Sequence, residues 1–77
     1  MAEETLKRGS EGQDVKELQT ALIALDFKPG AVDGVFGVYT DSAVKSFQRW
    51  AQLVPDGIAG QATRAALDDA PTGTAGS

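Results

Sequence analysis

The chain has 77 residues, enough for one small domain, and carries 11 acidic against 7 basic residues for a formal net charge of -4. That balance argues against nucleic acid and against an anionic membrane surface, because both are bound through clustered Lys and Arg. The absence of Cys and His removes disulfide staples, thiolate metal sites and imidazole catalysis, so no cofactor or metal is expected.

Residues 1–8 are polar and are expected to form a flexible N-terminal segment. They lack the basic and apolar regions of a secretory signal. The chain therefore reads as an excised module, or as one whose export is arranged elsewhere. No apolar run approaches the roughly 20 residues of a membrane span.

The first predicted helix covers about 13–26. Val15, Leu18, Leu22 and Leu25 fall on one helical face. Glu11 and Asp14 place negative charge near its N-terminus, and Pro29-Gly30 ends it. The second predicted helix covers about 39–52, with Val44, Phe47 and Ala51 facing inward. Pro55-Asp56-Gly57 marks the next turn. A third, short helix is predicted over 61–69, with Ala62, Ala65, Ala66 and Leu67. The fold class is all-α: a compact three-helix bundle with Gly-rich connecting loops and no sheet, although 31–36 could add a short extended piece. The domain is expected to span 9–69. Residues 70–77 have the composition of a flexible linker or tail.

The sequence repeats itself. Asp33-Gly34-Val35-Phe36-Gly37-Val38-Tyr39-Thr40 returns 23 residues on as Asp56-Gly57-Ile58-Ala59-Gly60-Gln61-Ala62-Thr63. Asp-Gly is a turn dipeptide, in which Asp bonds amides ahead of it and Gly accepts positive φ. Gly37 and Gly60 stand where each loop enters a helix, and Thr40 and Thr63 are placed to cap a first-turn amide. Gln19 and Gln48 lie at the edges of apolar faces, where a buried amide needs partners. They are expected to tie down the backbone of the two turns. Paired EF-type calcium loops fail on their ligands: the required oxygen positions hold Ala31, Pro29 and Thr40 in one copy, and Val54, Gln52 and Thr63 in the other.

A longer pattern contains these copies. Leu6, Gly9, Gly12, Val15 and Leu18-Gln19 are followed by Leu22, Leu25, Phe27 and Gly30. Asp33-Gly34-x-Phe36-Gly37-x-x-Thr40, Ala43-Val44-x-x-Phe47-Gln48, Leu53 and Asp56-Gly57-x-x-Gly60-x-x-Thr63 complete it. This resembles the type 1 peptidoglycan-binding domain over about residues 6–67. The resemblance implies a three-helix, non-catalytic module that attaches bacterial or phage cell-wall hydrolases to their substrate. It also implies a cell-envelope or extracellular location, and a monomer tethered to a catalytic domain. Where that family usually has Gly at two helix ends, this chain has Asp26 and Gln52. The second loop has Ala59 in place of Phe36.

The ligand is then expected to be the glycan strand, the stem peptide, or both. Phe47 and Phe27 are assigned to the core. Tyr39 and Trp50 share a flank of the second helix, displaced about 80–100° from the centre of its apolar stripe. Small Ala43 and Ser46 lie between them. Phe36, Tyr39 and Trp50 are the candidate apolar contacts, and Asp33, Thr40, Ser46 and Arg49 the candidate polar ones. Since Phe36 and Tyr39 become Ala59 and Ala62 in the second copy, the first loop is the expected contact. A helical protein-interaction domain of the same fold is the competing reading. Glycosidase chemistry would need two carboxylates across a cleft. The only matched pair, Asp33 and Asp56, already has turn duties.

Overall fold

A computed structural model describes residues 5–69. The predicted linker 70–77 and residues 1–4 lie outside them. Three helices follow in order: α1 (Gln13–Ala24), α2 (Val38–Trp50) and α3 (Gln61–Asp69). Val15, Leu18, Leu22 and Leu25 from the first helical region pack against Ala43, Val44 and Phe47 of α2. Phe27, Phe36, Ala59 and Leu6 complete this single core. The third helix contributes less than its sequence implies. Thr63 is its one fully buried residue, Ala66 and Leu67 pack partly against the core, and Ala62 and Ala65 are exposed.

Both long helices stop a residue or two before their expected ends, for one reason. Asp26 (φ 68) and Gln52 (φ 63) adopt the left-handed conformation. Behind them the amide of Phe27 bonds Leu22 O at 2.8 Å and that of Asp26 bonds Ile23 O at 2.9 Å. The end of α2 repeats this, with Leu53 to Gln48 O at 2.7 Å and Gln52 to Arg49 O at 3.1 Å. These are the paired bonds of a Schellman motif, which satisfy carbonyls that the helix leaves open.

Residues 6–12 are more closely held than their polarity suggests. Leu6 is buried and exchanges two backbone bonds with Ala59, at 3.1 and 2.7 Å. Gly9 donates to Phe36 O, Ser10 O accepts from Phe36, and Gly12 donates to Gly34 O. Residues 6–12 thus run across both repeated loops. The two isolated antiparallel bridges, Leu6–Ala59 and Glu11–Val35, are the only extended pairing among the described residues. The extended piece expected at 31–36 is one half of the second bridge.

Candidate functional site

The repeated loops are built around two glutamines. Gln19, on the buried side of α1, donates from Nε2 to Asp33 Oδ1 (3.2 Å), Val35 O (3.0 Å) and Thr40 Oγ1 (3.0 Å). Its Oε1 accepts the Gly34 amide at 3.0 Å. Gln48 on α2 reproduces every contact. Nε2 donates to Asp56 Oδ1 (3.0 Å), Ile58 O (3.0 Å) and Thr63 Oγ1 (3.1 Å), and Oε1 accepts the Gly57 amide at 3.0 Å. A carboxamide has two donor hydrogens, so one is shared among the three acceptors in each cluster. The glutamines are buried yet fully partnered, as the cost of burying an amide requires.

Asp33 and Asp56 close each turn by accepting the amide two residues ahead, Val35 and Ile58, both at 2.9 Å. The Val35 amide, and then the Gln19 carboxamide, hold the Asp33 carboxyl below its ordinary value. For Asp56 the Ile58 amide is the largest influence; partial desolvation opposes it and Gln48 adds to it, and the net direction is again down.

This geometry relocates part of the expected site. Phe36 is 1% exposed and belongs to the core. It cannot present a face to a ligand, because its backbone is pinned to Gly9 and Ser10 and its ring points inward. Thr40 is likewise buried. Its hydroxyl accepts from Gln19 and reaches Pro29 O at 3.5 Å, so it caps no helix amide. No side chain caps α2; Gly37 occupies the N-cap and its carbonyl accepts from Asp41 at 3.0 Å. Asp33 is solvent-exposed, but its Oδ1 is committed to the turn. Gly34, Gly37, Asp56, Gly57, Gly60 and Thr63 all serve the loops and helix entries.

The other candidates come together on the flank of α2. Tyr39 is 71% exposed and Trp50 43%. The Tyr39 ring lies against Gly30, where an added Cβ would come within 3.3 Å of Tyr39 Cβ. Trp50 packs edgewise on Phe27 at a centroid distance of 6.3 Å and tilted on Phe47 at 5.8 Å. It therefore seals the core along one side and stays open on the other. On the same side of α2, Asp26, Phe27, Lys28, Ser42, Ala43 and Ser46 line a shallow groove, in which neither ring takes part directly. Ala43 is buried beneath it, while Ser42 and Ser46 are exposed. Arg49 is exposed one turn beyond Ser46. Asp26, Phe27 and Lys28 were not legible as groove residues, because only the Schellman turn brings 26–28 alongside α2. Ser42 could have been found, as it sits between Tyr39 and Ser46 at helical spacing.

Three helices, loops clamped by buried amides, a shallow groove beside α2 and two exposed rings on that helix define a small binding module. Among the described residues no group of three or more acidic side chains is placed to hold a metal ion. The model of the family described as "Putative peptidoglycan binding domain" matches residues 11–67. The chain belongs to this family. It is 41% identical over 63 residues to a spore cortex-lytic enzyme of Oceanobacillus iheyensis, covering 82% of this chain and 23% of that protein. It is 48% identical over 65 residues to the N-acetylmuramoyl-L-alanine amidase CwlL of Bacillus licheniformis, covering 80% of this chain and 18% of that one. The crystal structure of the SleB N-terminal domain superposes with a TM-score of 0.84 at 41% identity, covering 88% of this chain and 93% of that one. The chain thus spans about a quarter or less of these two hydrolases and nearly all of an isolated N-terminal domain.

Proposed function

We propose that this domain holds peptidoglycan in the groove on the α2 flank and so brings an attached cell-wall hydrolase, or another envelope protein, to its substrate. The observation that carries this reading is the pair Tyr39 and Trp50. Two large rings stay open to solvent on the helix that also supplies Ser42, Ala43 and Ser46 to the groove. Exposed aromatics beside small polar residues suit a polymer that offers both apolar and hydrogen-bonding surface. Tyr39, Trp50, Ser46 and Arg49 are the contact residues retained from the sequence. The domain acts at the cell envelope or outside the cell, as a monomer without catalysis of its own. A shallow groove buries little area, so affinity per module is low, and tethering to a repetitive polymer supplies the rest.

Pull-down on purified sacculi tests this. Tyr39→Ala, exposed and outside the core, should leave the fold intact and reduce the bound fraction. Undiminished binding by a folded Tyr39→Ala, Ser46→Ala double variant would sink the assignment of this groove. A fall in wall turbidity with the isolated chain would contradict the non-catalytic reading. The exposed Val32, Val35 and Val38 favour a second reading, docking of a partner protein. Failure to bind sacculi under salt and competitor controls would select it.

A further inference from the structure

We infer that the second loop carries a further contact for the glycan strand, a cleft that takes the acetamido group of an N-acetylated amino sugar. This cleft lies apart from the α2 groove and makes its own contact with the polymer.

The two copies of the repeat differ in what covers them. Six residues separate Asp26 from Asp33 at the end of α1, but only three separate Gln52 from Asp56 at the end of α2. The longer first connection brings Pro29 O to the Thr40 hydroxyl at 3.5 Å and sets Gly30 against the Tyr39 ring. The shorter second connection supplies no such cover, and Ala62 stands where the first copy has Tyr39. An open cleft of about 400 Å³ is left there, walled by Leu53, Val54, Ile58 and Ala62. Gln48, Asp56 and Thr63 line it as well.

Thr63 points to the kind of group this cleft would hold. It is 4% exposed, and its Oγ1 accepts from Gln48 at 3.1 Å. A hydroxyl also has a proton to donate. Thr40 directs its proton to Pro29 O, whereas Thr63 has no such acceptor among the described residues. A buried donor without an acceptor is costly. A ligand carbonyl in the cleft would stand where Pro29 O stands in the first copy.

Asp56 is its neighbour. Asp56 Oδ1 and Thr63 Oγ1 both lie within 3.1 Å of the same Gln48 nitrogen. A carboxylate has about four acceptor sites, and Gln48 and Ile58 occupy two of them. The cleft thus offers a donor and an acceptor side by side among apolar walls. An N-acetylated amino sugar matches that set. Its acetamido carbonyl suits Thr63, a neighbouring ring hydroxyl suits Asp56, and its methyl suits Leu53, Val54 and Ile58. A single peptide bond fits less well, because its trans N–H points away from its C=O. Among the described residues no Lys or Arg lines the cleft. A peptide carboxylate or a phosphate would therefore meet Asp56 and a net charge of -4.

The test is an NMR-monitored titration of the full chain with chitotetraose, cellotetraose, the fully deacetylated chitosan tetramer and a synthetic stem tetrapeptide. Chitotetraose should shift the backbone amides of Ile58, Gly60, Ala62 and Thr63. Cellotetraose, with a hydroxyl in place of each acetamido group, should bind about five- to tenfold more weakly, the range of one lost hydrogen bond and a lost methyl contact. Ala62→Tyr gives the second copy the ring of the first and should weaken chitotetraose binding by a similar factor. Thr63→Ser keeps the donor and should preserve binding, while Thr63→Val should erase the preference for the acetylated sugar. Were Thr63→Val to unfold, Ala62→Tyr, made at an exposed position, would still decide. Cellotetraose or the deacetylated tetramer binding as tightly as chitotetraose overturns the inference, as does tighter binding of the stem peptide at these residues. Shifts confined to Ser42 and Ser46 overturn it and leave the α2 groove standing; shifts confined to the second loop uphold it and count against the groove.

Discussion

The Gln48 carboxamide donates to the Thr63 hydroxyl at 3.1 Å, joining the middle of the core to the first turn of α3. Gln19 and Thr40 make the same bond at 3.0 Å one helix earlier. Each glutamine is the hub of a loop that would otherwise enclose unpaired backbone groups, and each hub sits where a small core has little stability to spare.

Replacing a hub should therefore be costly. Gln48→Ala takes the carboxamide away from the Gly57 amide and the Thr63 hydroxyl, leaves the Ile58 carbonyl only the Gly60 amide, and opens a cavity. We expect a loss of about 2–4 kcal/mol, from unsatisfied buried groups at about 1–3 kcal/mol plus the void. Urea unfolding would measure it. A loss under about 1 kcal/mol would mean that the loop re-forms its bonds with water.

Gly57 is held by space as well as by conformation. Its φ is 76, and an added Cβ would collide with the Asp41 carboxylate and stand 3.0 Å from Lys45 Cε. Those two side chains form an ion pair at 3.3 Å. Gly57→Ala should lower stability by about 1–3 kcal/mol through left-handed strain and displacement of that pair. Asp41→Ala in the same chain should recover part of the loss in thermal melts, because it clears the collision but not the strain.

Gln52 offers the opposite outcome. It is exposed and left-handed. Gln52→Gly should raise stability by about 0.5–1 kcal/mol, removing the strain at a C-terminal cap that glycine favours. A melting temperature that stayed level or fell would show that the left-handed glutamine is not strained.

Asp33 and Asp56 predict a pH dependence. Both carboxyls are held below their ordinary value of 3.8 by amide and Gln contacts that the unfolded chain lacks. The unfolded state then binds protons first. The stability from these groups is fully present above about the unfolded value and is lost as pH falls through the folded values. Because both groups are exposed the effect is modest. Urea midpoints measured from pH 6 downward should fall below pH 4. The Asp33→Asn, Asp56→Asn double variant should show a shallower decline. An unchanged slope would place the acid sensitivity elsewhere.

Tyr39 and Trp50 should separate stability from binding. Trp50→Ala removes ring contacts to Phe27 and Phe47 and should cost about 1–2 kcal/mol. Tyr39→Ala, mostly exposed, should stay within about 0.5 kcal/mol of the parent. Paired melts and sacculus pull-downs check both. A Tyr39→Ala variant that melts far below the parent would place Tyr39 among the supports of the fold.

The sequence alone determined the three helices, their apolar faces, the twin turns and the role of the two glutamines. These features are local or periodic: helical spacing, Asp-Gly turns, and the rule that a buried amide must find partners. It also marked the Tyr39–Trp50 flank, since both lie on one helix. What it did not determine was decided by long-range pairing. Phe36 reads as a loop aromatic, yet the segment 6–12 crosses the loop, takes up its backbone and turns the ring into the core. Asp26 and Lys28 read as a helix end and its linker, yet a left-handed turn carries them beside α2 to form a groove wall. Burial of Phe36 depends on bonds to Gly9 and Ser10, far from it in sequence, and the groove wall on the packing of the turn at 26–28 beside Ser42, Ala43 and Ser46; both exist only once the chain has closed on itself.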